Sequence, residues 1–191
     1  MRDVDIIMRA EGENVWPALV RCIIAHSDPT RIKGIVFMRA DTVIETLPAP
    51  LVGDLDSLPS PFAFHVFDLS QHKSAVMLTS RGCCFNCAFC YTPRAFGRRI
   101  RMHSTGRVLA DMSICVKARI RRFFFGDPSF TFDKKRVASI MRGIIKRRWK
   151  IEIWCETRTD LIDRPLLALM AKAGVRYIAY GLESADPCVN K

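Results

Sequence analysis

Apolar and polar residues follow one another along this chain in blocks whose period changes several times. Residues 4–8 (Val-Asp-Ile-Ile-Met) read as a short strand, and the polar stretch 11–14 interrupts them. From 15 to 25 the apolar positions Val15, Leu19, Val20, Ile23 and Ile24 recur at helical spacing. Strand, turn and helix form the repeating element of an α/β domain. Residues 34–46 read as two short strands around Ala40-Asp41, and then the pattern stops. Pro48, Pro50, Pro59 and Pro61, with Gly53, Asp54 and Asp56 among them, mark a connection that no regular element crosses. The sequence therefore predicts an N-terminal piece over 1–46, a proline-rich linker over 47–70 and a second domain over 71–191.

In the second domain the pattern is more regular. An apolar run at 75–78 leads into a cysteine-rich loop and a helix over 105–119. A strand at 122–125 passes through Gly126-Asp127-Pro128 to a helix over 133–148, and a strand at 151–155 precedes a helix over 164–173 that Gly174 caps. A last strand at 177–180 ends at Gly181-Leu182-Glu183-Ser184. Strands alternating with helices predict parallel βα units, whose functional groups collect at the carboxyl ends of the strands. The cysteine loop, Gly126-Asp127, residues 156–158 and Glu183-Ser184 should then share one rim.

Composition narrows the class. Of 191 residues, 49% are hydrophobic and 26% charged, which excludes a disordered or collagen-like chain. The longest stretch free of acidic and basic side chains, 82–93, falls short of the roughly 20 apolar residues of a membrane span, and Arg2, Asp3 and Asp5 do not suit a signal peptide. The expectation is a soluble cytoplasmic protein with no membrane span. There thiols stay reduced, so clustered cysteines point to metal or redox chemistry before disulfides. The net charge of +11 is local: residues 91–150 hold 17 Lys and Arg against 3 Asp and Glu. Such a segment can serve an anionic partner or be a solvated helix face, and with no recognised nucleic-acid motif beside it the solvated face is the reading preferred here.

The strongest chemical signal is the loop from Ser80 to Cys90. Cys83, Cys87 and Cys90 stand in a C-x3-C-x2-C arrangement, and three thiolates this close can bind three irons of a cubic iron-sulfur cluster. The fourth iron then stays open to a substrate, as a catalytic zinc keeps a free position. Two other readings exist. Spacings of four and three also fit one helix face and hence core cysteines, but Gly82, Asn86 and Pro93 oppose a stable helix there. A structural zinc site with Cys84 or His103 as fourth ligand is the second, though the usual second C-x2-C pair is missing.

These residues resemble the radical S-adenosylmethionine (SAM) enzymes, and within them the branch with a cobalamin-binding domain that includes the anaerobic magnesium-protoporphyrin ester cyclase type. Phe89 just before the last cysteine belongs to the same signature. The runs 125–131 (Phe-Gly-Asp-Pro-Ser-Phe-Thr), 157–160 (Thr-Arg-Thr-Asp) and 181–184 look like that branch's second-, third- and fourth-strand motifs, with Pro128 where a second acid is usual. Residues 9–13 and 54–59 look like the end of the cobalamin domain and the linker after it. The resemblance implies an α/β fold: the N-terminal half of a radical SAM partial (β/α) barrel, preceded by the C-terminal remnant of a Rossmann-like cobalamin-binding domain. It implies that Cys83, Cys87 and Cys90 hold a [4Fe-4S] cluster whose open iron chelates SAM. An electron from an external flavodoxin- or ferredoxin-type donor then yields a 5′-deoxyadenosyl radical that attacks a small-molecule substrate. By the same likeness Phe89 lies along the adenine, the backbone at Gly126 and Asp127 meets the methionine amino group, and Glu183 meets the ribose.

The likeness also has gaps. Full barrels run to roughly 200 residues or more, and the D-x-H-x-x-G motif that would hold cobalamin is absent, so cobalamin would belong to a longer parent of which this chain is a fragment. None of His26, His65, His72 and His103 is metal-spaced with another. Cys22, Cys115, Cys155 and Cys188 stand alone, and small core residues are the expectation for most of them.

Overall fold

The computed structural model describes residues 4–64, 66, 68–186 and 188; His65 of the linker lies outside them. The chain divides into two compact units, residues 1–53 with 82–100 and residues 54–81 with 101–191.

The elements run in order β1 (Ile6–Met8), α1 (Trp16–Ile24), β2 (Ile35–Arg39), β3 (Thr42–Glu45), β4 (Ser74–Met77), β5 (Ser80–Arg81), α2 (Thr92–Phe96) and β6 (Arg101–Met102). They continue with α3 (Thr105–Lys117), β7 (Arg122–Phe125), α4 (Lys134–Lys146), β8 (Glu152–Thr157), α5 (Arg164–Ala173) and β9 (Val175–Tyr180). In the first unit β1, β2 and β3 form a wholly antiparallel sheet. The sequence order of strand and helix is as expected there, but no parallel pair is built from it. Ala40 and Asp41 make the β2–β3 turn with φ 43° and 64°, the left-handed pair that a two-residue hairpin requires. Val15, Ile35 and Phe37 form the small core, packed by Ile6, Ile32, Ile44 and Ala49.

In the second unit β4, β7, β8 and β9 form a parallel sheet in that order. Sequential strand order with helical crossovers is the pattern of a barrel wall. Alternate residues face opposite sides. Ala75, Met77, Phe123, Phe125, Ile153, Cys155 and Val175 pack in one core with the apolar stripes of α3, α4 and α5, such as Val137, Ile140, Met141 and Ile144. Phe125 is wholly buried and stacks on Phe130 at 4.6 Å. Each of α3, α4 and α5 starts on a side-chain cap that satisfies an otherwise orphan amide. Ser104 accepts from Arg107 N, Asp133 from Arg136 N and Asp163 from Leu166 N. Gly174 closes α5 in the left-handed region, as its sequence position predicts.

The opposite face of this sheet carries Val76, Phe124, Trp154 and Tyr177 in register on neighbouring strands. The rings of Phe124, Trp154 and Tyr177 stand 5.4 and 6.4 Å apart in sequence order. Val76, Trp154 and Tyr177 remain at least half exposed, and β9 is an edge strand. No helix among the described residues is long and apolar enough to cross a membrane.

Candidate active site

The cysteine loop belongs to the first unit. Between the short pairs at 80–81 and 101–102 the chain is irregular except for α2, which Pro93 starts. Gly82 stands at φ 87°, where a Cβ would meet the Arg99 carbonyl oxygen at 2.3 Å, and Cys83 N donates to Gly97 O at 3.1 Å. These contacts close the loop at its neck. Farther out, Cys90 N donates to Cys87 O at 3.1 Å. Cys83 is buried, Cys87 and Cys90 are half-buried and Cys84 is exposed; Phe89 is 70% exposed. No helix runs through Cys83–Cys90, so the core-helix reading of these cysteines fails.

Burial pushes the Cys83 thiol up from its ordinary value, and negative charge on Cys84, Cys90 or Cys87 adds to the rise, against a lowering hydrogen bond from Phe85 N–H. Thiolates that repel one another gain most from a cation held between them. The loop 82–100 carries no acidic side chain but holds Arg94, Arg98 and Arg99, so the segment's own charge suits an anionic thiolate cluster. As they lie, no three His, Cys, Asp or Glu side chains among the described residues converge on a metal-sized point. The donor set nevertheless fits a soft iron-sulfur group: three thiols in one irregular segment with no competing carboxylate.

The remaining predicted residues lie in the second unit. Gly126 follows β7, and its N donates to Met77 O at 3.0 Å. A Cβ there would meet Leu78 Cδ2 at 3.3 Å. Glu183 follows β9 at φ 57°, exposed, with Oε1 folded over Gly181. Asp127 is wholly buried. Its carboxylate accepts from Thr79 Oγ1 at 3.0 and 3.1 Å and from Ser80 Oγ at 2.5 Å. A belt of buried polar groups continues across the strand ends: Thr131 Oγ1 and Ser129 Oγ lie 2.5 and 3.4 Å from Thr157 Oγ1.

Thr79 and Arg136 lie outside the sequence motifs, and Ser80, Thr131 and Thr157 lie inside them with no signal that marks a buried polar belt. Arg136 sits in the basic run Lys134-Lys135-Arg136 and reads as a solvated face. The signal was there in its phase, since 136, 140 and 144 share one side of α4 and Ile140 and Ile144 are wholly buried. Of the isolated cysteines, Cys115 and Cys155 are core residues, Cys22 is half-buried and Cys188 exposed.

Burial raises the Asp127 carboxyl from 3.8 to about 6, against lowering by the Ser80 and Thr79 hydroxyls and the Arg136 charge. The folded state therefore holds this proton more tightly than the unfolded chain does. Stability should fall as pH rises from about 4 to 6 and then level off, an effect of about 3 kcal/mol for this group. Asp127→Asn, whose amide can meet the same hydroxyls after they rotate, should flatten that stretch of the profile. Urea unfolding at pH 4, 5, 6 and 7 measures it; identical slopes in both proteins would refute it.

A model of the Radical SAM superfamily matches residues 77–191, more than half of the chain. An uncharacterised methyltransferase of Pyrococcus horikoshii is 30% identical over 190 residues, covering 96% of this chain and 41% of that protein. The anaerobic magnesium-protoporphyrin IX monomethyl ester cyclase of Synechocystis is 30% identical over 197 residues, covering 98% and 39%. Among solved structures, the radical SAM methyltransferase TsrM of Kitasatospora setae superposes with a TM-score of 0.76 at 18% identity, covering 96% of this chain and 38% of its own. The cobalamin-dependent SAM radical enzyme OxsB gives 0.76 at 23%, covering 94% and 28%. The two structural likenesses carry the fold, and the chain spans less than half the length of these relatives.

Proposed function

The chain belongs to the radical SAM superfamily, and on that footing we propose that Cys83, Cys87 and Cys90 bind a [4Fe-4S] cluster in a SAM-cleaving enzyme. When bound, the cluster and SAM supply an electron and a 5′-deoxyadenosyl radical for hydrogen abstraction from a small-molecule substrate. The observation that carries the reading is the cysteine loop itself: three thiols in one acid-free segment, closed at its neck by Gly82 and the Cys83–Gly97 bond. The chain's own groups have distinct tasks. Phe89 offers an exposed ring to the adenine, the Gly126 and Asp127 carbonyls are of the type that accepts from an ammonium group, and the Glu183 carboxylate accepts from ribose hydroxyls. The electron comes from an external flavodoxin- or ferredoxin-type protein. Residues 1–46 are read as the end of a cobalamin-binding domain in a longer parent; the OxsB likeness, which covers 94% of the chain, extends into them.

Anaerobic reconstitution with iron and sulfide tests this. About four irons per chain are expected, with a visible spectrum that changes on adding SAM. Cys83→Ala, Cys87→Ala and Cys90→Ala should each retain about one iron or less, and Cys84→Ala should load like the parent. One zinc without sulfide would replace this reading by a structural zinc site.

A further inference from the structure

Residues 82–100 leave the second unit at Arg81 and return at Arg101, and the two ends pair as a short antiparallel neck, Ser80 with Met102 and Arg81 with Arg101. At its base His103 N donates to Thr79 O at 2.9 Å. The guanidinium of Arg136, in the first turn of α4, reaches both strands there: Nε donates to His103 O at 2.8 Å and Nη2 to Thr79 O at 2.9 Å. Asp127 takes the Thr79 and Ser80 hydroxyls, as described above. Asp56 Oδ1 lies 2.9 Å from His103 Nδ1 and accepts from Ser104 N at 3.1 Å. Three charged side chains from three separate segments thus hold one two-stranded base, and only one of them spans both strands.

We propose that Arg136 is a positioning residue for the cysteine loop: its fork fixes the two points from which residues 82–100 depart and return, and so limits the conformations open to Cys83, Cys87 and Cys90. Two facts favour this over a role in general packing. The fork spends its bonds on the neck's carbonyls and none on α5 or the sheet strands. A planar guanidinium bridges two fixed acceptors in a way that an ammonium on a flexible stem does not. The metal role of the loop rests on the preceding proposal; the brace itself does not.

The test therefore begins with the full chain free of iron. In Arg136→Met, which keeps an apolar stem and drops both donors, alkylation of Cys83 should quicken about tenfold relative to Cys115, with matching loss of hydrogen-exchange protection across 82–100. Arg136→Lys, which keeps the charge and is the safer variant for folding, should show about threefold and so a partial rescue. After reconstitution, both variants should lose iron to a chelator faster than the parent in the same order, with an altered electron paramagnetic resonance spectrum of the reduced cluster. Parental alkylation and exchange rates in Arg136→Lys would overturn the proposal, whether or not Arg136→Met folds. Faster alkylation of Cys83 and Cys115 alike would assign Arg136 to general packing and overturn it too. Selective quickening in a chain that never takes up iron would leave the brace standing and remove the cluster reading.

Discussion

Gly174→Ala is expected to lower the stability of the parallel-sheet unit by about 3 to 4 kcal/mol and its melting temperature by about 10 °C. Gly174 follows α5 at φ 106°, and a Cβ built there would stand 2.3 Å from the Ile151 carbonyl oxygen. Both the backbone conformation and the contact oppose a side chain. The carbonyl cannot swing aside cheaply, because the two strands are tied at that level: Ile153 N donates to Gly174 O at 2.9 Å. Gly53→Ala is the matched control, since nothing lies within 4 Å of a Cβ there. Thermal and urea unfolding of the two variants read the difference. A Gly174 variant as stable as the Gly53 variant would mean that the chain at Ile151 runs differently.

The second large effect belongs to the loop. Gly82→Ala places a methyl 2.3 Å from Arg99 O and 3.1 Å from Gly97 O at a φ of 87°. All of these are backbone atoms beside the neck, with no flexible side-chain end to yield. The variant keeps its eight cysteines, yet iron uptake on reconstitution should drop at least about tenfold, because the closed form of the loop is strained. The parallel sheet should melt as in the parent. Full iron uptake by Gly82→Ala would show that the cysteines need no closed neck.

The parallel unit was readable in the sequence because each of its elements carries its own signal. The stripe of α4 and the alternation in β8 give their faces, Asp133 and Asp163 announce the helix starts, and Gly174 marks a stop. The cysteine spacing was equally readable, since it needs only the order of residues. The neck was not. Residues 80–81 and 101–102 are too short to show a period, and they pair across a gap that no local rule spans. The direction of pairing in β1–β3 was also hidden, because a strand followed by a helix looks the same whether the next strand returns parallel or antiparallel. Asp127 shows a third limit. Its place at the carboxyl end of β7 is readable, but nothing local shows that its carboxylate turns inward to two hydroxyls four dozen residues away in sequence.

The first unit is assembled from two stretches, 1–53 and 82–100, with residues 54–81 of the other unit between them. During synthesis on a ribosome this order matters. The thiols of the loop emerge before Arg101 and Met102, and therefore before the second strand of the neck exists. Arg136 emerges later still. A nascent chain consequently presents its cysteines in an open segment for the time it takes to translate β6, α3, β7 and the start of α4. Iron delivered in that interval would meet an unbraced loop, so correct cluster assembly is expected to be a late, post-translational event, and oxidants or competing metals would find their best opportunity before it.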